Sequence, residues 1–304
     1  ELSFQGALKY AKERLAMRSL SGDKNPSGPA DPIIVHPDVR RMLLTQKCVA
    51  EAGRAMIYEC ALLNDLLMEA EARGDSKEAR RCDDQLGFLT PILKGFLTEL
   101  GVEAANHGVQ VYGGHGYIKQ NGQEQILRDV RISALWEGTT GIQALDLLGR
   151  KIMLGKLKPI NQHCTKLAKQ AWSLATSGSS SSVKKHARQV LALSADWLQL
   201  TYRIAMNARK DRDVIGVASV DYLMYAGYVS MAAHWLAMEE AAAKRLAKSD
   251  GDLAKEFYEA KVRTADFYFE HMLPRTKAHR AAMLKPAASV MALKADHFSF
   301  DHAL

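Results

Sequence analysis

Residues 38–72 read DVRRMLLTQKCVAEAGRAMIYECALLNDLLMEAEA, and their spacing decides the fold class. Val39, Met42, Leu43, Gln46, Val49, Ala50, Gly53, Met56, Ile57 and Cys60 recur at intervals of three and four, which lays one apolar stripe along a helix. Asp38 stands where an N-cap belongs. No proline interrupts the run, so the spacing predicts a helix to about Ala72.

Upstream, residues 4–18 read as a helix and 23–37, with four prolines, as an ordered loop. Downstream, Gly74 marks a turn, and residues 77–104 predict a second long helix in which Pro91 makes a kink or a new first turn. Glycines crowd residues 107–142 and predict tight turns and close backbone approaches. A further helix runs from Thr140 to about Leu154, with Ile142, Leu145, Leu148 and Ile152 on one face. Lys156 to Asn161, with Pro159, marks a boundary between a first domain, residues 1–158, and a C-terminal helical extension, residues 159–304. In the extension a serine-rich loop at 177–182 separates helical stripes: Val190 to Ala205, Val217 to Leu246, and Leu253 to Phe267. No alternating run demands a sheet. The chain reads as all-α, one helical bundle followed by a second antiparallel helical bundle.

Composition narrows the functional classes. The chain has 304 residues, 47% hydrophobic and 25% charged, the balance of a globular protein. No stretch approaches about 18 consecutive apolar residues, so no membrane span is expected. Lysine and arginine outnumber aspartate and glutamate by 41 to 34, but they are dispersed, which argues against nucleic acid as a partner. Cys48, Cys60, Cys82 and Cys164 lack CxxC spacing and suit a reducing compartment. The sequence opens on Glu1 partway into a helical pattern, the expected look of a piece of a larger protein.

The segment WEGTTGIQ, residues 136–143, carries the most chemistry. A threonine can cap the helix that follows, Gly138 and Gly141 open the backbone N–H groups to a ligand, and Glu137 stands beside that opening. The same glutamate could merely complement the helix dipole. QVYGGHGY, residues 110–117, offers either a structural turn or an approach for a ligand or neighbouring subunit. Arg128 to Arg131 suggests a buried ion pair, with an anion contact as the alternative. HExxH, GxSxG and GxxxxGK[ST] are absent, and no metal site is expected. His297 and His302 read as exposed tail residues. Tyr222, Tyr225, Tyr228, Trp235 and the aromatics from Phe257 to Phe269 read as core or interface.

Taken in order, YAKER at 10–14, HPDVRRML at 36–43, QVYGGHGY at 110–117, LRDVRI at 127–132 and WEGTTGIQ at 136–143 resemble the C-terminal half of an acyl-CoA dehydrogenase. The loop insertion and the added helices look most like the bacterial branch that includes 3-methylmercaptopropionyl-CoA dehydrogenase. The resemblance implies that Glu137 is the catalytic base, removing the α-proton of an acyl thioester while the β-hydrogen leaves as hydride to the flavin N5 of FAD. A carboxylate shielded from water is the stronger base. Trp136, where many relatives have tyrosine, and Gly138 would then line the acyl-CoA substrate, and Thr139, Thr140 and Gly141 the FAD. Arg14, Gln110, Gly113 and Gly114 would reach the FAD of a neighbouring subunit, which implies a homodimer or homotetramer. The resemblance further implies a cytoplasmic bacterial enzyme that passes electrons to an electron-transfer flavoprotein or similar acceptor. The family's N-terminal helical and middle β domains have no counterpart here, so this segment alone should bind FAD poorly and turn over little. Against this stand a non-catalytic helical oligomerisation module and, with less support, a flavin-binding relative acting on nucleic acid or nitroalkanes.

Overall fold

The computed structural model describes residues 1–248 and 252–299, and among them helices account for every regular element. His302 lies outside the described residues. The helices are α1 (Leu2–Glu13), α2 (Pro37–Ala72), α3 (Ser76–Tyr112), α4 (Gln123–Arg131), α5 (Thr140–Leu145), α6 (Lys158–Thr176), α7 (Ser181–Ala208), α8 (Asp213–Lys248), α9 (Lys255–Phe267), α10 (Thr276–Ala282) and α11 (Ala288–Met291). Wide π-type turns extend α5 over Asp146–Leu154 and α9 over Tyr268–Met272.

The long helix expected from residue 38 forms, but its cap differs. His36 is the N-cap and Pro37 opens the first turn, because proline needs no N–H there and its φ is already helical. Asp38 instead accepts from Arg41 at 2.8 Å. α1 ends at Glu13 and not at 18. Beyond Arg14 the backbone is claimed by the loop: Ile33 donates to the Arg14 carbonyl at 2.9 Å, and the fully buried Asp31 carboxylate accepts from the N–H groups of Ser19, Lys24 and Asn25.

α3 runs unbroken through Pro91 and past the predicted end at 104 to Tyr112. Gly108, which read as a turn former, and Gly227, inside the helix expected over 217–246, are close-packing positions. A methyl group on Gly108 would lie 1.9 Å from Ser3 Oγ, and one on Gly227 of α8 2.1 Å from the Phe96 ring. Ser3 donates to Gln123 Oε1 at 3.0 Å, tying α1 to α4 over that gap.

α8 sits at the centre. Its length and apolar composition match those of a membrane-crossing helix, yet 67% of its most apolar stretch is buried within this fold. Tyr222, Leu223, Tyr225, Val229 and Trp235 pack there against α2, α3, α5 and α7 in one hydrophobic core. The segments 1–158 and 159–304 therefore share a core. Ion pairs cross the same boundary: Glu51 with Lys261 at 2.7 Å, Glu59 with Lys166 at 2.7 Å, and Glu103 with Arg275 at 2.7 Å.

Candidate functional site

The turn from Leu135 to Thr139 carries the carboxylate picked out by the sequence. Glu137 has φ +54° and Gly138 φ +92°, two successive residues in the left-handed region. Glycine adopts that conformation freely, whereas for glutamate it is strained, and such strain persists only where neighbours enforce it. Here they do. The Glu137 carbonyl accepts from Gln143 Nε2 at 3.0 Å, and the Gly138 carbonyl accepts from the Lys94 ammonium of α3. Thr139 is the N-cap of α5, its hydroxyl accepting from the Ile142 N–H at 3.4 Å, and the Thr140 hydroxyl donates to Glu99, again on α3.

These braces fix the backbone and leave the functional atoms open. Glu137 is exposed, and no group among the described residues accepts from its N–H or that of Gly138. Around it lies an uncovered apolar surface: Ile132, Leu135, Trp136, Ile142 and Leu145 are all exposed, Trp136 by 60%. Such a patch on one side of a braced carboxylate is the form of a surface that receives an apolar ligand or a covering domain. Because the Thr140 hydroxyl is engaged by Glu99, that residue offers a ligand chiefly its backbone.

The second group of predicted residues lies at the C-terminal end of α3. Arg14 caps the end of α1 with its N–H donating to the Tyr10 carbonyl at 2.8 Å. Tyr10 stacks on Tyr112 with ring centroids 4.1 Å apart, and its hydroxyl meets His115 Nδ1 at 2.8 Å, which brings Arg14's helix to the Gln110–Tyr117 turn. Gly113 takes φ +57°, and both it and Gly114 are exposed with open space where a Cβ would point. Gln110, also exposed, uses its carbonyl to accept from the Gly113 N–H. The structure thus brings Arg14 to the Gln110, Gly113 and Gly114 turn, but not to Glu137. From Glu99 to Gln110 the helix alone spans about 16 Å.

The Arg128 reading is corrected. Arg128 is 65% exposed and pairs with Glu124 one turn away at 2.7 Å, so its ion pair is a surface one. Lys94, Glu99 and Gln143 were not assigned roles from sequence. Gln143 stood inside the quoted motif, but Lys94 and Glu99 reach the turn across more than 40 residues, and nothing in local spacing announces such a contact.

The Glu137 turn packs against the middle of α3 and the glycine-rich opening lies at the C-terminal end of that helix, two separate places on one helical module. Comparison with known proteins gives its class. Residues 7–153 match the family described as acyl-CoA dehydrogenase, C-terminal domain, and residues 157–294 match acetyl-CoA dehydrogenase C-terminal like. The chain belongs to the acyl-CoA dehydrogenase family. It is 32% identical to 3-methylmercaptopropionyl-CoA dehydrogenase of Ruegeria pomeroyi over 96% of this chain and 47% of that protein. An acyl-CoA dehydrogenase of Bacillus anthracis complexed with FAD superposes with a TM-score of 0.66 at 20% identity, covering 93% of this chain and 46% of that one. Caenorhabditis elegans ACDH-11 in complex with C11-CoA gives 0.64 at 18%, covering 92% and 43%. The chain therefore spans about half the length of the relatives it matches.

Proposed function

We propose that this chain is the helical half of an FAD-dependent acyl-CoA dehydrogenase, with Glu137 as the base that takes the α-proton of a saturated acyl-CoA to give the 2-enoyl-CoA. The observation that carries the reading is the Glu137 turn: an exposed carboxylate held in a strained backbone by Gln143 and Lys94, beside free N–H groups and an apolar face. The relatives' bound FAD and C11-CoA support the ligand assignment.

The residues present fit both groups. Trp136 and Gly138 would lie along the acyl-CoA, and the free Glu137 N–H would polarise the thioester carbonyl, which acidifies the α-proton. Thr139, Thr140 and Gly141 would hold the FAD of the same site. Arg14, Gln110, Gly113 and Gly114, separated from the Glu137 turn by about 16 Å of α3, would contact the FAD of a neighbouring subunit in a homodimer or homotetramer. When bound, FAD supplies the hydride acceptor, and an electron-transfer flavoprotein or similar carrier would reoxidise it. The strained turn fixes the Glu137 backbone before substrate arrives, so proton transfer needs no further ordering of that backbone.

The test is the flavin spectrum of the longer enzyme, recorded anaerobically with a saturated acyl-CoA before and after Glu137→Gln. Native protein should bleach, and the variant should keep its flavin band while bleaching falls by at least a thousandfold. Near-native turnover in the variant removes Glu137 from the mechanism. Absence of flavin in both proteins favours the alternative, a non-catalytic oligomerisation module.

A further inference from the structure

A cavity of about 400 Å³ opens between the first turns of α3 and the start of α6, far from the Glu137 turn. From Arg81 to Glu99, α3 alone covers about 27 Å. The volume lies in the range of small-molecule sites. Its walls are strongly basic: Lys77, Arg80, Arg81, Lys158 and Lys166 line it against a single acid, Asp84. Glu78 holds Arg81 and Glu59 holds Lys166, but Lys77, Arg80 and Lys158 pair with no carboxylate among the described residues. Three cations against the single carboxylate of Asp84 leave the wall net positive.

The end of α6 adds to it. This 19-residue helix begins at Lys158 and Pro159 on the cavity wall with no acid in its first turn, so its dipole adds to the positive potential there, although the Lys158 and Asn161 N–H groups are engaged within the chain. An independent feature points the same way. His163 lines the cavity, is only 7% exposed, and has no hydrogen-bond partner on either ring nitrogen. Gln85 Nε2, also on the wall, is buried without an acceptor. Buried polar groups normally find partners, and two such side chains facing one basic cavity are most simply matched by a ligand that brings its own donors and acceptors. Burial lowers the His163 pKa to about 4, so near neutral pH the ring keeps one donor and one acceptor. Phe88 and Pro159 supply an apolar wall.

We infer that this cavity binds a small phosphate-bearing molecule, its phosphate held by the side chains of Lys77, Arg80 and Lys158 and its body hydrogen-bonded to His163 and Gln85. The inference uses none of the residues assigned to the Glu137 site. Two sources share this chemistry, a free nucleotide and the phosphorylated end of a coenzyme A.

Isothermal titration of the chain in phosphate-free buffer with ADP, and separately with inorganic pyrophosphate, tests it. One equivalent should bind, with affinity falling at least tenfold in Arg80→Ala and in Lys158→Ala and unchanged in Glu137→Gln. Arg80 and Lys158 are exposed, so unchanged circular dichroism should accompany the loss. Displacement of ADP by desulfo-coenzyme A would assign the site to the coenzyme; ADP binding that desulfo-coenzyme A leaves intact would assign it to a separate nucleotide. No heat with either probe, or binding indifferent to both alanine variants, overturns the inference.

Discussion

Replacing Glu103 by glutamine should loosen the link between α3 and the C-terminal helices, by an amount that depends on pH. Arg275 grips Glu103 through two hydrogen bonds of 2.8 and 2.7 Å and also donates to the Tyr228 hydroxyl at 3.0 Å. Burial alone would raise the Glu103 pKa; the His107 ring, whose Nε2 stands at 3.5 Å, and Arg275, through its hydrogen bonds and guanidinium charge, outweigh it and hold the value at about 2. A shift of that size corresponds to about 3 kcal/mol at full strength. Both side chains are about one-third exposed, so solvent screening reduces the expected penalty to about 1–2 kcal/mol, or a fall in Tm of about 2–4 °C. A carboxylate whose folded pKa lies below its unfolded value stabilises the fold above the ordinary carboxylate range and loses that contribution as the pH falls towards 2. Urea unfolding of native and Glu103→Gln protein should therefore show the full difference at pH 7 and about half of it at pH 3. A difference that stays constant across that range refutes the electrostatic account and leaves only packing.

Gly227→Ala should cost at least about 1–3 kcal/mol, because its methyl would enter the Phe96 ring, whereas Gly216→Ala on the same helix meets nothing within 4 Å and should be neutral or stabilising; paired thermal melts decide it. His163 is neutral when folded because burial lowers its pKa to about 4, so stability should fall by up to about 3 kcal/mol as the pH drops from about 6.5 to 4. His163→Leu should remove that part of the slope, and an unaltered pH profile of the urea midpoint would contradict it. Burial, with help from Glu59, pushes the Cys60 thiol up to about 11, and burial pushes Cys164 up to about 12 and Cys48 higher than its ordinary value. A disulfide reagent at pH 8 should consequently label native protein slowly and reach four thiols only in denaturant; rapid labelling of Cys60 would argue against its burial.

The helices were legible because their apolar spacing is a local property. Val39 to Cys60 announced α2, and the aromatic stripe of Tyr222 to Trp235 announced a core helix whose side chains are indeed buried. Ends were less legible. Asp31 is the residue that organises the loop after α1, yet its role consists of hydrogen bonds to backbone atoms 6 to 12 residues earlier, which outcompete a further helical turn after Glu13. Glycine misled for a related reason: Gly108 looks like a breaker until Ser3 is known to occupy the space. At the candidate site, the motif identified Glu137 but not its left-handed backbone, and the supports from Lys94 and Glu99 depend on the packing of α3 against the turn.

The shared core has a bearing on how the protein is made. The faces of α2 and α3 that lead inward are covered by α8, which the ribosome delivers only after residues 113–248 have been added. At synthesis rates of about 5–20 residues per second that interval is roughly 7–27 s. Throughout it, a finished-looking helical hairpin presents Val49, Met56, Ile92 and Phe96 without the complete core that buries them. Nascent chains halted between residue 158 and α8 should be the species that chaperones hold, and a stop codon there should yield aggregate in place of a smaller stable domain.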